Sequence, residues 1–391
     1  MVFRNGYIFY SGQASGGNER ETPFFRGGFL VRDGRIAEVY DENSCPDEGL
    51  DLAGAYVIPG LVDIHTHGNS GWDVSDGDPE GLRVISRYLA AHGITSYLPT
   101  TVTLPPDRLE RVLRTVKNEA AQNTSGGARL LGIHLEGPYL SGKRKGAQNG
   151  AFLRLPHSED FFTLQDMSGG LIKLVDLAPE TEGAGAFIAE VKGKCRISAS
   201  HTAADYETAA AAFDAGIRHV THLFNGMNPF HHRAPGVIGA AAERDGVTAE
   251  LICDGLHVHP SAVRMAFRLF PGRICLVSDT LRCCGMPDGE YDLGGQEVML
   301  RDGAARLRDG TLAGAASNLY EDLKRAVRFG IPVHEAVRAA TLTPAGVIGM
   351  EGEIGSLDAG KRADFLVCGP DLELKQVYVG GCILRKNAAE R

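Results

Sequence analysis

Eight short apolar segments, spaced so that a helical pattern fits between them, constrain this chain more than any other feature. They span residues 61–64, 96–99, 130–135, 171–177, 196–199, 219–223, 248–253 and 274–277. Near-continuous apolar runs of this length read as strands buried on both faces, which is the habit of parallel sheets. Helical patterns lie between them. Asp78-Pro79-Glu80 supplies an N-cap, a first-turn proline and a first-turn acid, and Gly93 closes that helix. Residues 106–122, 203–215 and 260–269 are further amphipathic helices. Alternation of strand and helix predicts an α/β fold, and eight strands is the number that closes a (β/α)8 barrel of the TIM type. On pattern alone, a doubly wound sheet satisfies the same alternation.

The flanks have a different texture. The run Gly27-Gly28-Phe29-Leu30-Val31-Arg32-Asp33-Gly34-Arg35-Ile36 reads as strand, Asp-Gly turn, strand. Ala363-Asp364-Phe365-Leu366-Val367 and Val377-Tyr378-Val379 are again short strands. Neither end can form a core alone, so the two are expected to pair into a small β-sandwich. The expected division is 1–56 and 355–391 for the sandwich and 57–354 for the barrel. Asp-Gly pairs at 288–289, 302–303 and 309–310 predict hairpins in an insertion over residues 285–312.

Composition narrows the partners. At 391 residues with 43% hydrophobic and 23% charged residues, the chain can bury a large core. A net charge of −9 argues against nucleic acid, whose phosphate backbone requires a basic face. No signal-peptide pattern or long apolar span stands out, so a cytoplasmic protein without membrane contact is expected. The eight cysteines form no CxxC pair and read as reduced thiols.

The chemistry is carried by residues at the ends of the predicted strands. His65 and His67 stand two apart after the first strand, in Pro59-Gly60-Leu61-Val62-Asp63-Ile64-His65-Thr66-His67-Gly68, and so share a face. Glu136 follows the third strand, His201 the fifth and Asp279 the eighth, and His222 ends the sixth. The carboxyl ends of barrel strands are where such folds build their sites. Four imidazoles and two carboxylates suit a divalent Zn, Fe, Mn or Co ion and are too nitrogen-rich for Mg or Ca. A divalent cation acidifies water and polarises carbonyls. Asp279 beside it can accept a proton from the attacking water and deliver it to a leaving amine. The reaction class is therefore metal-assisted hydrolysis of a C–N bond, with ester hydrolysis and deamination similar at this level.

These motifs, with His134-Leu135-Glu136-Gly137-Pro138, Lys145-Gly146-Ala147, His222-Leu223-Phe224-Asn225, Cys253-Asp254-Gly255-Leu256-His257, Ser278-Asp279 and Gly310-Thr311-Leu312-Ala313-Gly314, make the chain resemble the N-acetylglucosamine-6-phosphate deacetylases of the amidohydrolase superfamily. The resemblance runs to Gly381 and implies a metal-dependent hydrolase barrel with a sandwich built from both chain ends. It implies that Glu136, His201 and His222 hold the principal metal, that His65, His67 and Asp279 are available to a second, and that Asp279 is the catalytic acid and base. One or two ions per subunit are implied, with zinc ahead of iron, manganese and cobalt. Asn225, the backbone of Gly226, Arg233 and His257 would hold the sugar phosphate. Ala147, Gln148 and Leu312, Ala313 and Gly314 would line the sugar. The family forms homodimers in which a partner arginine reaches the phosphate, so Arg233 is expected to act across an interface. Gln148 replaces a histidine common in the family, which puts acyl preference in question rather than reaction type. Position 226 is Gly where Ala is common, and residues 315–316 are Ala-Ala where a Ser usually follows Gly314.

Other residues have plainer readings. Lys173, in the fourth strand, occupies the place where other amidohydrolases carry a bridging carboxylated lysine; here Glu136 takes that role and Lys173 is structural. His231-His232 reads as loop surface, His134 and His259 as local packing, and Cys283-Cys284 as free thiols. Asp63 either orients a ligand or ties the turn. A dihydroorotase, dipeptidase or deaminase would lack the Arg233–His257 pair, and an assembly protein on the same fold would lose metal ligands.

Overall fold

The computed structural model describes residues 1–9, 23–122 and 126–386. The eight expected strands are present as β1 (Leu61–Thr66), β2 (Ile94–Pro99), β3 (Ile133–Leu135), β4 (Ile172–Leu177), β5 (Arg196–Ala199), β6 (His219–Val220), β7 (Thr248–Ile252) and β8 (Ile274–Val277). Every residue of β1, β2, β3 and β8 is buried, which is why their sequences run apolar instead of alternating. Strands β3 to β8 form one six-stranded parallel sheet in chain order. Strands β1 and β2 pair in parallel, with Arg129–Leu130 outside β2. Parallel bridges join Thr100 to His134 and Thr66 to Thr280. The fold is α/β, as the alternation predicts.

Two strands are shorter than their apolar runs. The run 130–135 breaks in two: Arg129–Leu130 pairs with β2, while Ile133–Leu135 pairs with β4. The break falls at Gly132, where a Cβ would lie 2.4 Å from Lys173 Cγ. Strand β6 stops at Val220 because His222 (φ +30°) and Phe224 (φ +80°) turn left-handed, and a strand cannot continue through that backbone.

The helices follow their punctuation. Asp78 accepts hydrogen bonds from the N–H groups of Glu80 and Gly81 at 2.8 and 3.0 Å and caps Pro79–Ala91. Pro106–Gln122 and Pro260–Leu269 match their expected limits. The helix expected from 203 begins at Tyr206, because Asp205 caps it by accepting from Thr208 N–H at 2.9 Å. His259 is also a cap: its Nδ1 accepts from Ser261 N–H. Among the described residues no helix is long and apolar enough to cross a membrane.

The insertion forms a four-stranded antiparallel sheet: Gly289–Leu293, Gln296–Arg301, Ala304–Leu307 and Leu312–Ala315. Asp302-Gly303 and Asp309-Gly310 fall between its strands as expected, but Asp288-Gly289 does not make a hairpin turn. The first hairpin turns at Gly294-Gly295, whose positive φ values (58° and 93°) suit the turn.

Both chain ends meet in one eight-stranded sheet. Tyr56–Pro59 is the join, pairing in parallel with Val2–Phe9 and antiparallel with Phe365–Cys368. This sheet has its own core. Phe3 stacks on Phe29 at 5.1 Å, Phe365 stacks on Tyr378 at 4.4 Å, and the Phe3 and Phe365 rings meet edge to face at 5.0 Å. Phe365 is fully buried. Phe365→Ala is expected to cost about 3–5 kcal/mol, read as a lower urea midpoint with the metal-site residues intact.

Candidate metal centre and active-site pocket

The candidate ligands sit where the strands end. His65 lies on β1 and His67 one residue past it. Glu136 directly follows β3. His201, His222 and Asp279 each stand two residues beyond their strands. All three of these have left-handed backbones, with φ of +40°, +30° and +50°. That conformation is unfavourable for residues with a Cβ and persists only where surrounding contacts enforce it. At Asp279 the contacts are two hydrogen bonds: its N–H donates to His65 O at 2.9 Å, and its carbonyl accepts from Ala315 N–H at 2.8 Å.

The six side chains converge in two groups. In the first, Glu136 Oε1 lies 3.1 Å from His201 Nε2 and 3.2 Å from His222 Nε2, and the two nitrogens are 3.1 Å apart. In the second, Asp279 Oδ1 lies 3.2 Å from His67 Nε2 and 3.5 Å from His65 Nε2. Those two nitrogens are 3.3 Å apart. Glu136 stands between the groups, with Oε2 only 3.3 Å from His67 Nε2. None of the six exposes more than 8% of its surface.

The protonation pattern tests whether a cation belongs here. His201 Nδ1 faces Arg144 O at 2.8 Å, His222 Nδ1 faces Asn225 O at 3.1 Å, and His67 Nδ1 faces Thr100 O at 3.2 Å. Carbonyls only accept, so each Nδ1 carries a proton and Nε2 is the nitrogen that each ring turns inward. His65 Nδ1 faces the Glu250 carboxylate at 2.8 Å, with the same result. With the rings neutral, four nitrogen lone pairs and two carboxylates thus meet, and only a proton or a cation can settle between them. A cation resolves that arrangement, and the residues fit a divalent metal with imidazole and carboxylate ligands.

The electrostatics agree. Burial disfavours a charged His67, yet hydrogen bonds to Asp279 and Glu136 carry its pKa up to about 10. Burial likewise opposes charge on His65, but Glu250, Asp279 and Glu136 outweigh it and hold the pKa well above the usual imidazole value. The site stabilises positive charge where the imidazole tips meet.

The cavity above these groups is lined by His67, Glu136, His201, His222 and Asp279. It is also lined by the expected sugar and phosphate residues Ala147, Gln148, Asn225, Gly226, His257, Leu312, Ala313 and Gly314. Gln148 is tightly held: Nε2 donates to Glu136 Oε2 at 2.7 Å, and Oε1 accepts from Thr103 N–H at 2.8 Å. It therefore steers the carboxylate as well as lining the pocket. Gly226 has φ +62°, and a Cβ there would lie 2.8 Å from His201 Nδ1. His257 Nδ1 is 2.7 Å from Asp254 Oδ2, which leaves Nε2 as the nitrogen available to a ligand. Burial disfavours its charged form, but Asp254 prevails and raises its pKa. Arg233 is not brought to this cavity. It is exposed, its Nη1 lies 2.7 Å from His232 Nε2, and it lines a separate cavity with Asp205, Tyr206 and Glu243.

Lys173 is the second residue of β4, at the opposite end of the strand from the ligands. Asp63 Oδ1 accepts from the N–H groups of His65 and Ser278, both at 3.3 Å, and so ties β1 to the end of β8 beneath the site. Cys283 and Cys284 are separate buried thiols. Sequence reading missed Glu250 and Asp176, and gave Asp254 only as part of the His257 motif, without its tie to that ring. Glu250 and Asp176 had a signal: each is a carboxylate inside a largely apolar strand, where an unpaired charge is costly.

Comparison with known proteins gives the class. The amidohydrolase family model matches residues 56–384, and the chain belongs to the amidohydrolase family. Its similarity within that class is specific. An N-acetylglucosamine-6-phosphate deacetylase of Bacillus subtilis (strain 168) is 38% identical over 364 residues, 90% of this chain and 92% of the relative. An N-acetylgalactosamine-6-phosphate deacetylase of Escherichia coli O157:H7 is 35% identical over 353 residues, 90% of this chain and 93% of the relative. A mutant N-acetyl-D-glucosamine-6-phosphate deacetylase of Mycobacterium smegmatis, solved in complex with N-acetyl-D-glucosamine-6-phosphate, superposes with a TM-score of 0.90 at 31% identity, covering 98% of this chain and 99% of that one.

Proposed function

We propose that this chain is a metal-dependent hydrolase that removes the acetyl group from N-acetylglucosamine 6-phosphate, giving glucosamine 6-phosphate and acetate in amino-sugar catabolism. The observation that carries this is the convergence of four imidazoles and two carboxylates under a cavity lined by His257, Asn225 and Gly226, in a chain similar to such deacetylases over 90% of its length.

Glu136, His201 and His222 hold the principal ion, and His65, His67 and Asp279 offer a place for a second. Zinc is the first choice, then iron, manganese or cobalt. When bound, a divalent cation supplies acidification of water and polarisation of the acetyl carbonyl. Asp279 takes the proton from the attacking water as its oxygen bonds to the acyl carbon. It then gives that proton to the amine nitrogen as the C–N bond breaks. Gln148 keeps Glu136 oriented and presents its amide beside the acetyl group. Ala147 and Leu312 to Gly314 line the sugar. Asn225, the backbone N–H of Gly226 and His257 hold the phosphate. Arg233 completes that subsite from the partner of a cytoplasmic homodimer, a reading supported by its exposure outside the chain's own cavity.

The architecture is read as one closed (β/α)8 barrel plus a small β-sandwich formed by both chain ends. The bridges at Thr100–His134 and Thr66–Thr280 support closure. The division keeps the central segment to residue 354 and moves the first boundary from 56 to 59, since Tyr56–Pro59 pairs with the end sheet.

The test is acetate release from a panel of N-acetylhexosamine 6-phosphates and their unphosphorylated sugars. Equal efficiency on unphosphorylated N-acetylglucosamine would overturn the reading. Preference for the galactosamine epimer would make the chain a deacetylase of N-acetylgalactosamine 6-phosphate instead, a second reading that the 35% identical Escherichia coli relative motivates. His257→Ala and Arg233→Ala are each expected to raise KM for the 6-phosphate about 10- to 100-fold, the worth of a charged hydrogen bond. Because Asp254 raises the His257 pKa, the rise in KM that follows loss of its proton should come at higher pH than for an ordinary imidazole, and His257→Ala should lack it. Mixing inactive Asp279 and Arg233 variants should restore activity in heterodimers; no recovery would place Arg233 in cis.

A further inference from the structure

We propose that Glu250, in the middle of β7, is a positioning residue that sets both halves of the metal-ligand array from a single carboxylate. The inference rests on the metal-centre reading above.

The geometry is as follows. Glu250 is fully buried. Its Oε2 lies 2.8 Å from His65 Nδ1 and accepts from the backbone N–H of His222 at 3.2 Å. Its Oε1 lies 3.2 Å from His219 Nε2. Its own carbonyl accepts from Leu223 N–H at 2.8 Å. One residue therefore holds an imidazole from β1 and the turn after β6 that carries His222. These two ligands belong to different groups, so their relative placement depends on a part they share.

Each contact has a consequence for the ligand it touches. The carboxylate fixes the proton of His65 on Nδ1, so that Nε2 carries the lone pair. It also increases the electron density of the ring, and carboxylate partners of this kind raise ligand basicity and lock ring orientation. At His222 the N–H bond helps enforce a φ of +30°, the left-handed turn from which the side chain reaches Glu136. His219 donates to the other oxygen and prevents the carboxylate from rotating.

The cluster does not read as a cation site of its own. His65, His134 and Glu250 bring donor atoms within 4.8 Å of one another. His134, however, is engaged elsewhere, with Nδ1 3.1 Å from Ile64 O and Nε2 3.0 Å from Asp176 Oδ1. Glu250 is therefore a hydrogen-bonding tie. It touches neither the cavity nor, by this reading, the substrate: it is absent from the cavity lining.

The experiment compares Glu250→Gln with the parent, both as full-length chains stripped of metal and titrated with Zn²⁺ against a chelator. Glu250→Ala removes the whole tie and can fail to fold, whereas Gln keeps volume and one acceptor oxygen. The expected result is a zinc Kd raised about 10- to 100-fold in Glu250→Gln, with the metal-free Tm close to the parent's. In a His65→Ala background the same substitution should have a smaller effect, because part of its action runs through His65. With Co²⁺ in place of Zn²⁺, the visible spectrum should also shift in Glu250→Gln. Unchanged zinc affinity and an unchanged cobalt spectrum in a folded Glu250→Gln would overturn the positioning role while leaving the metal centre standing. A parent chain that binds no zinc would overturn both.

Discussion

Asp279→Asn is expected to keep the fold and the principal metal and to lose about 10²–10⁴ in kcat, the contribution of a general acid–base group. The amide is nearly the same size as the carboxylate, and the backbone contacts that hold position 279 do not involve its side chain. What is lost is the capacity to take a proton from water and return it to nitrogen, so both halves of the cycle fail. KM should change far less, because the residues proposed to hold the phosphate, Asn225, Gly226 and His257, are other members of the cavity lining. Burial disfavours the Asp279 carboxylate, yet His65 and His67 outweigh burial and hold its pKa below the usual value. Any acidic limb of kcat/KM that reports Asp279 therefore lies at low pH, where protonation removes the base, and the Asn variant should lack it. Retention of more than about a tenth of parental kcat would make Asp279 a ligand only, against the loss expected for a general base.

Glu136→Ala, His201→Ala and His222→Ala are each expected to abolish stoichiometric metal binding and nearly all activity. Three protein ligands form the principal group, and removing one leaves an incomplete shell. Glu136→Ala should be the most severe of the three, because its two oxygens face both groups of imidazoles. It also strands the Gln148 amide, which now donates to it. Metal content by elemental analysis after purification, together with acetate release, checks the set. Full metal in all three variants would sink the assignment of the principal site.

Much of the candidate site was legible in the sequence for a physical reason. A metal ligand must be a particular residue type, and a parallel-strand fold places such residues at strand ends. His65, His67, Glu136, His201, His222 and Asp279 all met both conditions, and all six converge. The cavity residues Ala147, Asn225, Gly226, His257 and Leu312 to Gly314 came from motif resemblance, because small side chains and backbone N–H groups carry no chemical mark of their own. Glu250 and Asp176 went unread although each is a carboxylate inside a largely apolar strand, because the partners that satisfy them come from other strands. Gln148 was read as a sugar contact, but its hold on Glu136 depends on a loop approach that spacing cannot express.

What the sequence determined by itself was local: the apolar strands, the cap at Asp78, the Asp33-Gly34 turn, and the residue types able to bind a cation. These depend on neighbours within a few positions, so the chain states them directly. Tertiary structure decided everything that needed two distant segments at once. It joined Tyr56–Pro59 to Phe365–Cys368, ended β6 early through the left-handed turn at His222, and left Arg233 outside the chain's own cavity. It also placed the Glu250 carboxylate between His65 and His222. Such outcomes follow from packing and hydrogen bonding between residues far apart in the chain, and a hydrogen-bond direction, a lone pair or a register exists only once both partners are in place.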